Sequence, residues 1–382
     1  MDIIELQKTL ESLKYPPTQN YEIQGLKPDN FLKDRIEKIN KISPEFFKGN
    51  NFLDIGAGKG FFSFYADNKF NSIIGIEPRK DYFDFCQEAV KTLKIKNVKF
   101  ECCSFKNFYP SKLFDRVFIG NCMHYLYQAR NSKEKEGWTW VYKLASLMTA
   151  GGILIIESPL NGKENPDIGY LAGDEDYSKP TFLKTFAPFF DVLDIVNSPS
   201  KYRYIIKLRR KSNPIQNKYN YENFKQEKRL DYREGRETFV TSDGNVCKIF
   251  QTKPSYSFLI QTTAISYFST RASMKGVVIK GGIIVGIVQE YLGDSRVKDL
   301  NKAWDLYQCD QKLSLKLGYI DVDWGVVNIV ANKIVDVSSI CLVSNLLSGS
   351  KDAFSRNIKR DYLEYIGKEK CNNKIELVNN LR

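Results

Sequence analysis

Histidine is nearly absent from this chain: one residue, His124, in 382. The cysteines number eight, yet no two form a CxxC pair and none sits near a second histidine. A zinc site of the usual Cys/His kind is therefore excluded as an organising feature. No apolar run reaches the length needed to span a bilayer. The most apolar stretch, from Gly276 to Val288, is broken by Lys280, Gly281 and Gly282 and reads as a hairpin. The opening residues MDIIELQKTLESL mix acids with apolar residues and do not read as a secretory leader. A cytoplasmic setting with free thiols follows as the expectation. A dense basic block is also missing. The net charge of +12 is spread along the chain, so an anionic partner such as nucleic acid is permitted but not required.

What is present is a globular composition: 42% hydrophobic and 13% aromatic residues, enough for two cores in a chain of this length. The most informative stretch is Asn51 to Ser63, NFLDIGAGKGFFS. It begins as an apolar strand carrying one acid, Asp54. It then passes through Gly56, Gly58 and Gly60 into residues that can start a helix. A strand, a glycine turn and a helix start let backbone N–H groups approach a nucleotide-like ligand. About twenty residues on, a second strand ends in Glu77, placed to accept hydrogen bonds from two ribose hydroxyls. Strand patterns at Val98–Cys102, Phe114–Ile119 and Ile153–Glu157 alternate with amphipathic segments. Through about Leu208 they predict a parallel sheet covered by helices. Cys102 and Cys103 read as the end of one of these strands.

These pieces resemble the class I S-adenosylmethionine-dependent methyltransferases. The resemblance lies in the hDhGxGxG form of LDIGAGKG, then IIGIEPR, FDRVFIGNCMHYL and GGILIIESP, in that family's order. It implies that Asp54, Gly56, Gly58 and Gly60 hold the methionine part of the cofactor and Glu77 the ribose. The family's adenine-binding acid has no counterpart here. Ser104 and Phe105 occupy its place, with backbone and the Phe105 ring as the implied contacts. By the same resemblance, Asn121 and His124 lie in the loop that faces the methyl group. His124 either serves as general base on a hydroxyl or phosphate acceptor, or packs as a structural residue.

Residues 1–48 form a helical N-terminal segment and 49–208 the methyltransferase domain. Residues 209–232, rich in charges and amides, read as a linker, and 233–382 as a second domain. That second domain opens with a hairpin, 237–250, whose second strand VCKIF carries Lys248 among apolar residues. A lysine there needs a partner, and phosphate is one candidate. Further on, GYIDVDWGVVNIVANKIVDVSSI contains Asp323 and Asn328 in a DxxxxN spacing, two short strands, and then Asp336. This resembles the catalytic loop and metal-binding segment of protein-kinase-like folds. The resemblance implies Asp323 as acceptor of the hydroxyl proton, and Asn328 and Asp336 as Mg²⁺ ligands. It likewise implies Lys248 on the nucleotide phosphates, and Glu290 to Leu292 as the hinge beside the adenine of ATP. The departures are specific. No glutamate lies between Lys248 and Val288, and Gln261 is a candidate stand-in for the usual lysine partner. The hairpin 237–250 lacks a GxGxxG loop, and Asp321 stands where histidine is usual.

Together the fold class is α/β: a doubly wound Rossmann-like methyltransferase sheet followed by a smaller α+β kinase-like domain. The order resembles the bacterial bifunctional kinase–methyltransferases that terminate O-antigen polysaccharide chains. That resemblance implies a sugar or sugar-phosphate acceptor. The alternatives are an RNA (cap-type) methyltransferase with a basic second domain, and a methyltransferase joined to a pseudokinase scaffold.

Overall fold

A computed structural model describes residues 1–13, 20–128, 137–160, 175–200, 202–233, 236–293, 300–317, 319–321, 329–330, 333–335 and 340–342. The chain divides into two compact units, one of Met1–Val141 with Leu147–Asn213, the other of Tyr142–Ser146 with the chain from Pro214 onward.

The first unit begins with α1 (Ile3–Ser12), closed at its start by a capping box between Asp2 and Glu5. A small ladder of β1 (Tyr21–Glu22) and β2 (Lys27–Pro28) leads to α2 (Asn30–Ile42), whose first turn is capped by the Asp29 side chain. Next come β3 (Gly49–Ile55), α3 (Phe61–Tyr65), β4 (Phe70–Ile76), α4 (Lys80–Thr92), β5 (Val98–Glu101) and β6 (Phe114–Gly120). They are followed by α5 (Met123–Gln128), α6 (Trp140–Leu147), β7 (Met148–Ser158), α7 (Lys179–Phe186), β8 (Phe190–Asn197) and β9 (Tyr204–Arg210).

The sheet runs β5-β4-β3-β6-β7-β9-β8. From β5 to β7 every pair is parallel, and β9 lies antiparallel to both β7 and β8. The expectation of a wholly parallel sheet to Leu208 is therefore corrected. The β8–β9 connection is short, and without a crossover helix the returning strand must run antiparallel. Cys102 and Cys103 lie just beyond β5 rather than on it.

The central strands are apolar because both of their faces are covered. Phe52, Leu53, Asp54 and Ile55 of β3 are all buried. The residues after the glycine turn anchor that end of the sheet: Phe61, Phe62 and Phe64 are each almost wholly buried. The Phe62 ring lies tilted 4.4 Å from Phe118 and stacks on Phe47 at 6.2 Å. Each such ring contributes about 1.5–3 kcal/mol of burial, which fixes a helix too short to hold itself.

In the second unit the sheet runs β10-β14-β15-β13-β12-β11. Its strands are β10 (Lys218–Asn220), β11 (Gln226–Arg233), β12 (Arg236–Thr241), β13 (Asn245–Phe250), β14 (Met274–Lys280) and β15 (Ile283–Glu290). Helix α8 (Tyr256–Ser266) follows β13 and α9 (Leu300–Lys316) follows β15. Short pairs complete the description: β16 (Tyr319–Asp321) with β19 (Ile340–Leu342), and β17 (Ile329–Val330) with β18 (Lys333–Ile334).

Two stretches of the segment read as a linker belong to this sheet. β10 pairs in parallel with β14, and β11 pairs with β12 as the outer strand. The sequence hid this because Gln226 to Leu230 are exposed, and a charged edge strand shows no buried face. The hairpins at 237–250 and 277–288 both form, the second turning through Gly281 and Gly282 with positive φ. Among the described residues no helix is long and apolar enough to cross a membrane.

Candidate functional site

In an open, doubly wound sheet the ligand crevice lies at the carboxyl ends of the strands where their order reverses. Here that point falls between β3 and β6, paired in register from Phe52↔Arg116 to Ile55↔Ile119. The glycine turn leaves β3 and the Asn121 loop leaves β6, so topology brings the two most informative loops together.

The turn is held tightly. Gly56 and Ala57 both donate to the Ile76 carbonyl, at 2.9 and 3.0 Å, and Gly60 donates to Ala57 at 2.9 Å. Gly56, Gly58 and Gly60 all have positive φ. At Gly60, the left-handed residue that opens α3, a Cβ would lie 2.7 Å from Phe64, 2.9 Å from Cys86 Sγ and 3.0 Å from Phe100. Gly60→Ala should therefore destabilise the unit by about 2 kcal/mol or more, combining left-handed strain with overpacking. A urea titration of the variant against the parent reads this directly, and an unchanged midpoint would contradict the close approach.

Asp54 is buried, with Ser63 Oγ donating to its Oδ2 at 2.8 Å. Burial pushes its carboxyl up to about 7, against the Ser63 hydrogen bond and the positive charge of Arg35. Glu77 accepts from Gly58 N at 2.8 Å and from Arg79 N at 2.9 Å, which joins the end of β4 to the turn. Burial raises its pKa, and those two amides act in the opposite sense. Ser104 opens a single 3₁₀ turn after β5, and Phe105 beside it is buried. The β5 end is tied to that of β4, since Glu77 N donates to Glu101 O at 3.1 Å.

Asn121 takes a left-handed conformation, φ 57°, and its N–H donates to the Glu157 carbonyl at 2.9 Å. Cys122 Sγ donates to the Ile55 carbonyl at 3.0 Å, and burial raises its thiol pKa strongly. His124 is buried in α5 with its ring 4.1 Å from that of Tyr125.

Sequence reasoning missed the groups that stand behind these loops. Arg35 of α2 forms a buried ion pair with Glu157 at the end of β7, and Ser198 Oγ donates to the other Glu157 oxygen. Tyr21 Oη donates to the Lys59 carbonyl at 2.7 Å. A signal for the first pair was available: Arg35 lies on the apolar face set by Leu32, Ile36 and Ile39, and Glu157 ends an apolar strand.

In the second unit Lys248 of β13 is buried, and its Nζ donates to the Val335 carbonyl at 2.5 Å. Gln261 of α8 is buried and donates to Ser257 Oγ, one turn back on its own helix, at 3.2 Å. Glu290 Oε1 accepts from Lys333 Nζ at 2.7 Å and from Ser273 N at 3.1 Å. Burial raises the Glu290 pKa, but those donors outweigh it and the net shift is downward. Leu292, just past β15, is half-buried. Asp323, Asn328 and Asp336 lie outside the described residues. The described short strands β17 and β18 fall where two were read between Asn328 and Asp336.

Residues 46–208 match the family described as "Methyltransferase domain". The strand order above is that of the class I, Rossmann-like methyltransferase fold, and the match supports an S-adenosylmethionine-dependent methyltransferase domain in this part of the chain. No curated protein matches the sequence. Among solved structures the chain is similar to the N-methyltransferase NodS from Bradyrhizobium japonicum WM9 in complex with S-adenosyl-L-homocysteine. The identity is 15% and the TM-score 0.40, over 53% of this chain and 98% of that one. It is also similar to WbdD in co-crystal with the kinase inhibitor LY294002, at 15% identity and TM-score 0.38, over 93% of this chain and 86% of that one. A third is a SAM-dependent methyltransferase from Aquifex aeolicus, at 19% identity and TM-score 0.37, over 51% of this chain and 98% of that one.

Proposed function

We propose that the first unit binds S-adenosylmethionine in the crevice between the β3 and β6 loops and passes its methyl group to a sugar or sugar phosphate. The observation that carries the cofactor half is the glycine turn after β3, flanked by two buried carboxylates, Asp54 and Glu77. Asp54 and the turn would hold the methionine part, Glu77 the ribose, and Ser104 and Phe105 the adenine. Asn121 and His124 would face the reacting centre, with positioning supplying most of the rate. His124 would take the acceptor's proton where the acceptor is a hydroxyl. Calorimetric titration with S-adenosylmethionine tests this, and absence of binding would end the proposal.

For the second unit we propose a kinase-like nucleotide site. Lys248 sits on the third of three consecutive antiparallel strands, β11, β12 and β13, and is followed by a helix, as in kinases. Its Nζ meets the carbonyl of Val335, the residue before Asp336 in sequence. Lys248 would bind phosphates, Asn328 and Asp336 would hold Mg²⁺, Asp323 would act as base, and Glu290 to Leu292 would lie beside adenine. A polysaccharide-modifying role rests on the resemblance to the O-antigen-terminating enzymes. Lys248→Ala should remove ATP–Mg²⁺ binding while calorimetry with S-adenosylmethionine stays as in the parent. Equal ATP affinity in the two proteins would rule the lysine role out. The RNA-methyltransferase reading, favoured only by the +12 charge, predicts affinity for RNA that falls steeply with salt.

A further inference from the structure

Arg35 is only 2% exposed, yet it touches the ends of several elements that frame the methyl-donor crevice. Its guanidinium carbon lies 4.8 Å from the Phe62 ring centroid, in the helix that follows the glycine turn. A Cβ on Gly120, the last residue of β6, would come within 3.3 Å of its Nη2. That same nitrogen pairs with Glu157 of β7, whose backbone carbonyl receives the Asn121 N–H. Ser198 occupies the second Glu157 oxygen and in turn accepts from Ser200 N at 3.0 Å. A buried ion pair is a poor source of stability, because apolar side chains of the same volume often do as well. Its position at the strand-order reversal therefore calls for another explanation.

We infer that Arg35, balanced by Glu157, is a positioning residue that holds the donor-binding turn after β3 and the acceptor-side loop after β6 in one arrangement and one electrostatic state. The inference rests on the methyltransferase reading of that crevice. Among the described residues, the groups that bear on Asp54 are Arg35 from α2, Ser63 from α3, Glu77 from the end of β4, the buried thiol Cys86 of α4 and the part-buried thiol Cys122 after β6. Of these, Arg35 supplies the positive charge. An ionised Asp54 suits the ammonium of the donor, so donor affinity rises with pH through the ionisation of this carboxyl.

The two members of the pair then have opposite effects. Arg35→Met removes the cation and moves the midpoint of the affinity profile to higher pH. Glu157→Gln leaves the cation unbalanced and moves the midpoint to lower pH. Each displacement should be on the order of one pH unit, the size expected for loss or gain of one nearby charge. Arg35→Lys keeps the charge and should keep the parental midpoint. The experiment is calorimetric titration of the full chain and these variants with S-adenosylhomocysteine between about pH 5.5 and 8.5, with thermal melting of each to confirm folding. Midpoints that stay put, or that move in the same direction for both neutralised variants, would overturn the inference. Should Arg35→Met not fold, Glu157→Gln and Arg35→Lys still decide it. If the parent itself binds no S-adenosylhomocysteine at any pH, the methyltransferase reading fails first and the inference falls with it.

Discussion

Asp54→Asn should weaken S-adenosylmethionine binding by a factor of about 100 or more, and at pH 8 it should melt at a higher temperature than the parent. The two effects have one cause. The Asp54 carboxyl is raised to about 7 by burial, so the folded protein resists its ionisation. Because the folded value lies above the unfolded one, the associated stability is complete below about pH 4 and is lost as pH rises through 7. At pH 8 the buried charge costs at most on the order of 4 kcal/mol, at about 1.4 kcal/mol per pH unit of displacement. Asparagine removes that cost and can still accept from Ser63 Oγ. It also removes the anion that would face the donor's ammonium, and a charge-assisted hydrogen bond in a buried site is strong enough to account for the fall in affinity. Melting curves at pH 5 and pH 8 check the first effect, since the variant's advantage should shrink at the lower pH. Titration at pH 8 checks the second. Retention of normal affinity would remove Asp54 from the site.

Asp310→Ala should destabilise the second unit by roughly 3–5 kcal/mol, the usual result of stripping one partner from a buried ion pair. Both side chains of the Arg271–Asp310 pair are wholly inaccessible. Arg271 donates to the carboxylate through Nε at 2.8 Å and Nη2 at 2.5 Å, and Thr270 Oγ1 adds a bond at 2.8 Å. Removal of the acid takes this counter-charge away from a guanidinium that stays buried. The consequences run along the backbone, because Ile334 N donates to Thr270 O at 2.7 Å and Ala272 N donates to Ile334 O at 3.0 Å. Hydrogen exchange at Ile334 and Ala272 should accelerate well before global unfolding. Arg271→Met combined with Asp310→Leu should recover much of the stability, because the cost comes from the buried charge and not from a missing attraction. A small effect of Asp310→Ala in urea would mean that the pair is reached by water.

The strands around the crevice were legible because each is a short apolar run ending at a residue with a distinct local purpose. Ile55 gives way to a glycine that needs positive φ, and the β4 run ends at Glu77, whose carboxylate caps the same turn. Local chemistry of that kind survives reading in one dimension. Lys248 was legible as a lysine that needed a partner, but the partner, a backbone carbonyl at Val335, carries no side-chain signature. The antiparallel return of β9 and the enlistment of 218–233 into a second sheet were not legible, since an exposed edge strand reads as polar loop.

The sequence by itself determined the glycine turn, the acids that flank it, and the resemblance on which their proposed methyl-donor role rests, because those depend on residue type and short spacing. Tertiary structure alone decided what stands behind them. Arg35 and Glu157 are 122 positions apart in sequence, and only the crossover order of the sheet and the packing of α2 bring a cation and its counter-ion to the same buried point. Burial, not composition, then sets the charge state of Asp54.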